Sequence, residues 1–447
     1  MIDPVVLAVT WSWSLDGWIV LVGVLCAVSA SLLGNFLVLR KLSLLGDAVS
    51  HAVLPGLAVA FLVSGSRSSF PMFLGAVVVG LLTAIATEWI RKLGRVDESA
   101  SMGVVFTTFF ALGLLLIVQA ADHVDLDAGC VLYGAIELST FDMIQIGGLE
   151  IPRGVAVLVP VLCLNAVFVT LFFKELKICS FDAPLASSMG FSSTVMHYTL
   201  MVLVAITAVA SFERVGNVLV VAMFIVPPAT AYLLTNRLST MVILSALIAA
   251  LGAVFGHWGA VSIPQWFGLK STTTAGMMAA SIGIIFLLAW FFSPSQGLVF
   301  RAWQRFWLSQ KVLQDDVVAL LFRKMEKFAK ASVIRTQLSN ELLAHPLMLR
   351  IAVWLLERRG DVEWINDSIS LSGKGAMRAQ EIVRSHRLWE TYLADEANQD
   401  GRQIHSQAEQ LEHFTSPMLA QRLDEATGHP ELDPHGSAIP RSDTEVK

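Results

Sequence analysis

Charge is scarce in this sequence. Asp, Glu, Lys and Arg make up 15% of its 447 residues, against about a quarter in a soluble domain. Apolar residues make up 55%, so a membrane protein is expected. Cysteine is sparse too. Cys26, Cys130, Cys163 and Cys179 stand at no metal-ligand or disulfide spacing. Three of them lie in or beside apolar runs and read as small core residues. A phosphate-cradling loop is also missing. That loop needs G-x-x-x-x-G-K-[ST], and the nearest stretch, Gly268 to Ser271, parts its glycine from its lysine by Leu269. The chain is therefore expected to be no enzyme and to hold no ATP site of its own. The N-terminus has no basic n-region, so its first apolar run is expected to stay as a span rather than a cleaved leader.

Long apolar runs are what the sequence has in quantity. A span needs about 20 mostly apolar residues. Nine stretches qualify, near 17–38, 47–64, 70–91, 102–118, 153–173, 195–211, 216–235, 239–257 and 275–293. The second is weakest, because it contains Asp47, Ser50 and His51. After Ser293 the composition turns to charged helices and turns. The expected fold is all-α: a polytopic helix bundle, then a mainly α soluble region.

Basic residues settle the expected orientation. Arg40 and Lys41, Arg91, Lys92 and Arg95, Lys174 and Lys177, Arg237, and Arg301 and Arg305 fall in alternate loops. Those loops should face the cytoplasm, and so should the C-terminal region. The N-terminus should lie outside. The long loop 119–152 on the other side is acidic, with Asp122, Asp125, Asp127, Glu137, Asp142 and Glu150. It reads equally as a cation-attracting surface or an ordinary solvated one. Gly252 and Gly256 form a G-x-x-x-G pair, for which helix packing is the plain reading.

Ionisable groups inside a span need a cavity or a partner. Asp47 and His51 stand one helical turn apart on one face. A carboxylate with an imidazole suits Mn²⁺, Zn²⁺ or Fe²⁺. The same pair also suits an internal hydrogen bond that fixes a kink before Pro55 and Gly56. In loop 174–194, Phe181-Asp182-Ala183-Pro184 reads as a turn into a short helix ending at Gly190.

The C-terminal region gathers histidine. Five of the ten histidines fall in its last 75 residues. His405, Glu409, Glu412 and His413 line one side of a helix, and His386 and Glu390 make an i, i+4 pair on a preceding one. Imidazoles and carboxylates so placed suit a divalent transition metal; a charged, solvated face is the alternative.

Several of these stretches resemble known families. Arg40-Lys41, Gly46-Asp47-Ala48 and Ser50-His51-Ala52-Val53-Leu54-Pro55-Gly56 resemble the signature of the permease family of manganese, zinc and iron ABC importers. The stretches Phe110 to Leu116, Ser180 to Gly190 and Gly216 to Ala231 follow in the family's order, so the resemblance covers about 15–293. It implies that Asp47 and His51 are transit ligands. It implies that Asp182, Ala186 and Gly190 belong to a helix that couples the permease to a separate ATP-binding subunit. It further implies an external metal-binding protein, a second permease chain (the same or a paralogue), and a bacterial inner membrane.

Gly375 to Leu393, Ile404 to His413 and Gly428 to Pro440 resemble the metal-binding and dimerisation domain of iron- and manganese-dependent repressors. The resemblance implies that His386, Glu390, His405, Glu409, Glu412 and His413 are ligands for Mn, Fe or Zn. Asp316 joins them from a helix at 313–328, while Ala319 stands where a further ligand is usual. The expected division is 1–294 permease, 295–372 winged-helix-like and 373–447 metal-binding. Base reading needs polar groups on a recognition helix, but 346–360 offers Leu347, Met348, Ile351 and Trp354 around Arg350. Residues 295–372 carry 11 basic and 8 acidic groups, and 373–447 carry 8 and 13. Both facts argue against DNA as a partner. The expected function is therefore a divalent-metal importer subunit with a metal-sensing domain. The alternative is a membrane-tethered or released metal-dependent regulator, and a third reading is a permease with an idle tail.

Overall fold

The computed structural model describes residues 11–42, 46, 48, 52, 54–64, 69–120, 136–146, 148–268, 272–294, 297–328, 332–365, 368–397 and 401–441. The chain forms two compact units, Met1–Phe300 and Arg301–Lys447.

The first unit is a helix bundle. Its apolar helices are α1 (Asp16–Leu39), α2 (Leu54–Ser64), α3 (Ser69–Gly94), α4 (Glu98–Ala120), α5 (Arg153–Leu171), α8 (Ser193–Val215), α9 (Asn217–Leu234), α10 (Leu238–Trp266) and α11 (Thr274–Phe292). Each falls on one of the nine expected stretches. Among the described residues, seven helices are long and apolar enough to cross a membrane, and the described parts of α2 and α9 are shorter. Between α5 and α8 lie two short helices, α6 (Phe173–Phe181) and α7 (Ala183–Ser188).

Helix α1 forms the axis of this unit. It packs against α5, α9 and α10. Ala27, Ala30, Leu33, Phe36 and Leu37 are fully buried along it. Polar staples join the helices where water is absent. Asn35 Nδ2 donates to Ser245 Oγ at 2.7 Å, and Asn165 Nδ2 reaches Ser29 Oγ and Thr207 Oγ1 at 2.9 and 2.8 Å. Gly256 lets α10 and α11 touch backbone to backbone: a Cβ there would stand 2.2 Å from Met278 Cα. The G-x-x-x-G pair is thus a packing feature.

A hairpin not anticipated in the sequence precedes α5. Strands β1 (Met143–Ile146) and β2 (Leu149–Pro152) pair antiparallel. Alternating Met-Ile-Gln-Ile and Leu-Glu-Ile-Pro around Gly-Gly is the signal that would have found it. The acidic loop is partly committed to structure. Glu137 Oε1 accepts from Thr274 N at the start of α11, 2.7 Å away, and Asp142 pairs with Arg214 at 2.6 Å. Asp122, Asp125, Asp127 and Cys130 lie outside the described residues. Cys26 and Cys179 are buried as expected of core residues, whereas Cys163 is exposed on the outer face of α5.

The second unit is mainly helical. Helix α12 runs Leu298–Lys327, fifteen residues earlier in its start than the expected 313, because the mixed apolar and polar residues after Gly297 contain no Gly or Pro to break it. Strand β3 (Val333–Ile334), α13 (Arg335–Glu341), α14 (Pro346–Arg359), β4 (Val362–Ile365) and β5 (Ser368–Leu371) follow. The strands form a small sheet in the order β3-β5-β4, the helix-and-wing order the sequence suggested. Val317, Val318, Leu321, Leu349, Val353 and Leu356 form its core with Ile369. Three helices complete the unit: α15 (Gly373–Ala397), α16 (Gly401–Glu412) and α17 (Pro417–Ala426).

Candidate metal centre

Side chains from α12, α15, α16 and the terminal loop converge in the second unit. Helix α15 projects His386 and Glu390 from one face, since they stand one turn apart. Both residues are buried. Helix α16 brings His405 to them. His386 Nε2 lies 3.1 Å from Glu390 Oε1 and 3.2 Å from His405 Nδ1, and His405 Nδ1 lies 2.7 Å from the same Oε1. Burial alone would raise the Glu390 carboxyl, but hydrogen bonds from His386 and His405 outweigh it and hold it at about 2.

A second cluster adjoins the first. His413 Nε2 stands 3.2 Å from Asp316 Oδ1 and 3.8 Å from Glu412 Oε1. Burial opposes charge on His413, but the Asp315 and Asp316 carboxylates beside it prevail and lift its imidazole to about 10. Asp315 was not singled out in the sequence. It is held by Arg378 at 2.6 Å, which also clasps Asp361 at 2.7 Å.

The two clusters meet at His386. Its Nδ1 lies 2.6 Å from Glu412 Oε2. Among the described residues, neither atom finds an aligned hydrogen bond, and His413 Nδ1 is buried without one as well. Buried donors and acceptors in native proteins are normally satisfied. Buried imidazole nitrogens and carboxylate oxygens that converge in this way can hold a divalent cation. The donor set fits Mn²⁺, Fe²⁺ or Zn²⁺.

Of the expected sensor residues, His386, Glu390 and His405 form one group, and Asp316, Glu412 and His413 another. Glu409 is exposed on α16 and, among the described residues, joins neither group. A third group, Glu390, Asp433 and His435, went unnoticed in the sequence.

In the first unit, Asp47 and His51 lie outside the described residues. The Asp182 stretch is described in full. Asp182 caps α7 by accepting from Leu185 N at 2.9 Å. Ala186 is fully buried. Gly190 closes the segment with φ +86°, a conformation that favours glycine. Phe181, Leu185 and Met189 are exposed at four-residue spacing. Arg40 Nε donates to Ser180 Oγ at 3.1 Å, tying the end of α1 to this segment. Arg40 also lines a cleft of about 260 Å³ with Glu88, Arg91, Lys92 and His197.

The model of the ABC 3 transport family matches residues 16–293. The chain belongs to that family. Residues 372–441 match the iron dependent repressor, metal binding and dimerisation domain. The fusion suggested by the sequence is therefore present, with the repressor-type domain following the permease. Among relatives, the manganese transport system membrane protein MntD of Bacillus subtilis is 43% identical over 64% of this chain and 95% of its own. The zinc transport system membrane protein TroD of Treponema pallidum is 41% identical over 63% of this chain and 75% of its own. The solved structure of PsaBC from Streptococcus pneumoniae in complex with Fab is similar at 32% identity and a TM-score of 0.51, covering 63% of this chain and 92% of that one. Permeases of this family are membrane proteins, in keeping with the apolar bundle.

Proposed function

We propose that this chain is the membrane-spanning subunit of an ATP-driven importer of manganese, zinc or iron, and that its C-terminal unit senses the imported ion. The observation that carries this reading is the presence, on one chain, of the family's bundle and two convergent imidazole–carboxylate clusters. The functional divisions are 1–294, 295–372 and 373–447. The basic loops and the C-terminal unit face the cytoplasm of a bacterial inner membrane.

The transported ion is cargo. Asp47 and His51 would exchange it for part of its water shell on a path between this chain and a second permease chain. An extracytoplasmic protein would deliver it. A separate ATP-binding subunit would dock on the Asp182–Gly190 segment. The exposed Phe181, Leu185 and Met189 supply apolar surface for that contact, and buried Ala186 seats the short helix.

In the sensor, His386, Glu390 and His405 would hold one ion, and Asp316, Glu412 and His413 another. The bound ion supplies positive charge that neutralises the buried carboxylates. Glu409, exposed on α16, stands outside both sets. The regulator reading is not favoured. On α14, Leu347, Met348, Ile351 and Trp354 are exposed around Arg350, and Arg358 stacks on Trp354 rather than extending. Such a face suits protein packing better than base edges.

Uptake in cells co-expressing the ATPase subunit tests the proposal. Asp47→Ala and His51→Ala should abolish accumulation, whereas alanine at His386, Glu390, Glu412 and His413 should change only its response to internal metal. Unchanged uptake in both sets would reject it.

A further inference from the structure

We infer that the opening turns of α12, residues 298–309, lie on an anionic lipid surface at the end of α11. The inference goes beyond the sensor reading and does not depend on metal binding.

One stripe runs along α12. Trp303, Trp307, Gln310, Gln314, Val317 and Leu321 recur at spacings of 4, 3, 4, 3 and 4, which keeps them on one helix face. The protein covers only the second half of that stripe. Gln310, Gln314, Val317 and Leu321 are buried. Gln310 Nε2 donates to the Met348 carbonyl at 3.3 Å, and Val317 and Leu321 join the core with Leu349 and Val353. Ahead of Gln310 the cover stops. Trp303 and Trp307 are 59% and 40% exposed, and their rings meet edge to face with centroids 5.6 Å apart. Val299 and Phe300 continue the apolar side in the open. From 298 to 309 every residue but Phe306 is exposed. A contiguous exposed aromatic face of this kind marks a contact with a membrane or another protein.

Charge selects between those occupants. Arg301, Arg305 and Lys311 are exposed on this stretch, and no Asp or Glu occurs from 293 to 314. A second copy packed face to face would set these cations against their own kind. An anionic lipid surface attracts all of them. Arg301 and Arg305 each stand two residues from Trp303, on the opposite side of the helix. A helix with aromatics on one face and basic groups on the other sinks the first toward the acyl chains and holds the second among the headgroups.

Position makes the same choice. Ser293 caps α11, a helix long and apolar enough to cross a membrane. Gly297 N donates to the Ser293 carbonyl at 2.9 Å, so α12 starts directly where that span ends. This is the headgroup level, where tryptophan is favoured. The stripe is thus one continuous face with two covers, protein from Gln310 onward and lipid before it.

Spin-label accessibility in the full chain, reconstituted in lipid nanodiscs, tests this. Nitroxides are attached one at a time through Val299→Cys and Phe306→Cys on the apolar side and Ser309→Cys beside Arg305, with the four natural cysteines changed to alanine. Collision with oxygen, which concentrates in lipid, is compared with collision with a water-soluble nickel chelate. In nanodiscs containing phosphatidylglycerol, the oxygen-to-nickel ratio at positions 299 and 306 should exceed that at 309 several-fold. Replacing that lipid by phosphatidylcholine, or introducing Arg301→Gln with Arg305→Gln, should lower the ratio at 299 and 306 several-fold. Equal ratios in the two lipids would overturn the anionic preference. Labels at 299 and 306 open to nickel would show a solvated helix, and labels shielded from both probes would show a protein partner or a second copy. Either result would overturn the lipid contact.

Discussion

His386 and Glu412 lie 2.6 Å apart at the junction of the two clusters, through Nδ1 and Oε2. The opposite nitrogen of the same ring faces Glu390. One imidazole thus touches both candidate ion positions, and the two should not fill independently.

His386→Ala should therefore disturb both ions, His405→Ala mainly the first and Asp316→Asn mainly the second. Isothermal titration with Mn²⁺ and Zn²⁺ checks this. His386→Ala should cost affinity in both binding phases. Two phases that respond to His386→Ala and His405→Ala alike would refute the junction.

Proton linkage gives a second test. Metal-free His413 stays protonated until about 10, above the ordinary histidine value of 6.5. Its folded-state value is raised, so the stability from that proton is complete below 6.5 and is lost as pH rises through about 10. An ion needs the neutral imidazole, so at neutral pH each ion taken by this cluster should release about one proton. Its affinity should climb about tenfold per pH unit over that window. Glu390 contributes no proton there, being ionised above about 2. Calorimetry in buffers of different ionisation enthalpy measures the release. A pH-independent affinity between 6.5 and 9 would contradict the assignment.

Much of this molecule was readable from residue order. The nine apolar stretches mark the bundle because burial in lipid leaves no room for interior charge. The i, i+4 spacing of His386 and Glu390 marks a shared face because helix geometry is local. What escaped was the non-local part. Glu137 on the start of α11, Asp315 under Arg378, and His435 beside Glu390 depend on chain segments brought together only by folding. The Asp433-Pro434-His435-Gly436 turn was visible as a turn, but nothing local says which helix it faces. Glu409 shows the converse: its spacing suits a ligand, and its side chain lies on the exposed face.

The link between Arg40 and Ser180 carries a third prediction. Among the described residues, buried Arg40 Nη2 has no hydrogen-bond partner, and Nε anchors the guanidinium on Ser180 Oγ. Ser180→Ala should loosen α1 from the coupling segment at a cost of about 1–3 kcal/mol. Uptake should fall several-fold while ATP hydrolysis by the assembled complex persists. Equal loss of hydrolysis and uptake would instead point to failed assembly.

Packing gives a fourth. Gly256→Val would drive a side chain into the backbone at Met278, destabilising the bundle by about 1–3 kcal/mol. Gly283→Ala on α11 meets no atom within 4 Å among the described residues and should be neutral. Thermal unfolding in detergent separates the two, and a stable Gly256→Val variant would show that α10 and α11 do not touch there.

Accumulation of radiolabelled Mn²⁺, Zn²⁺ and Fe²⁺ in cells that lack their own importers, carrying this chain with its ATPase and delivery protein, is the most direct test. At least one ion should accumulate in an ATP-dependent manner, and Asp47→Ala or His51→Ala should end it. ATP-dependent accumulation of every ion at the parent rate in both variants would contradict the account.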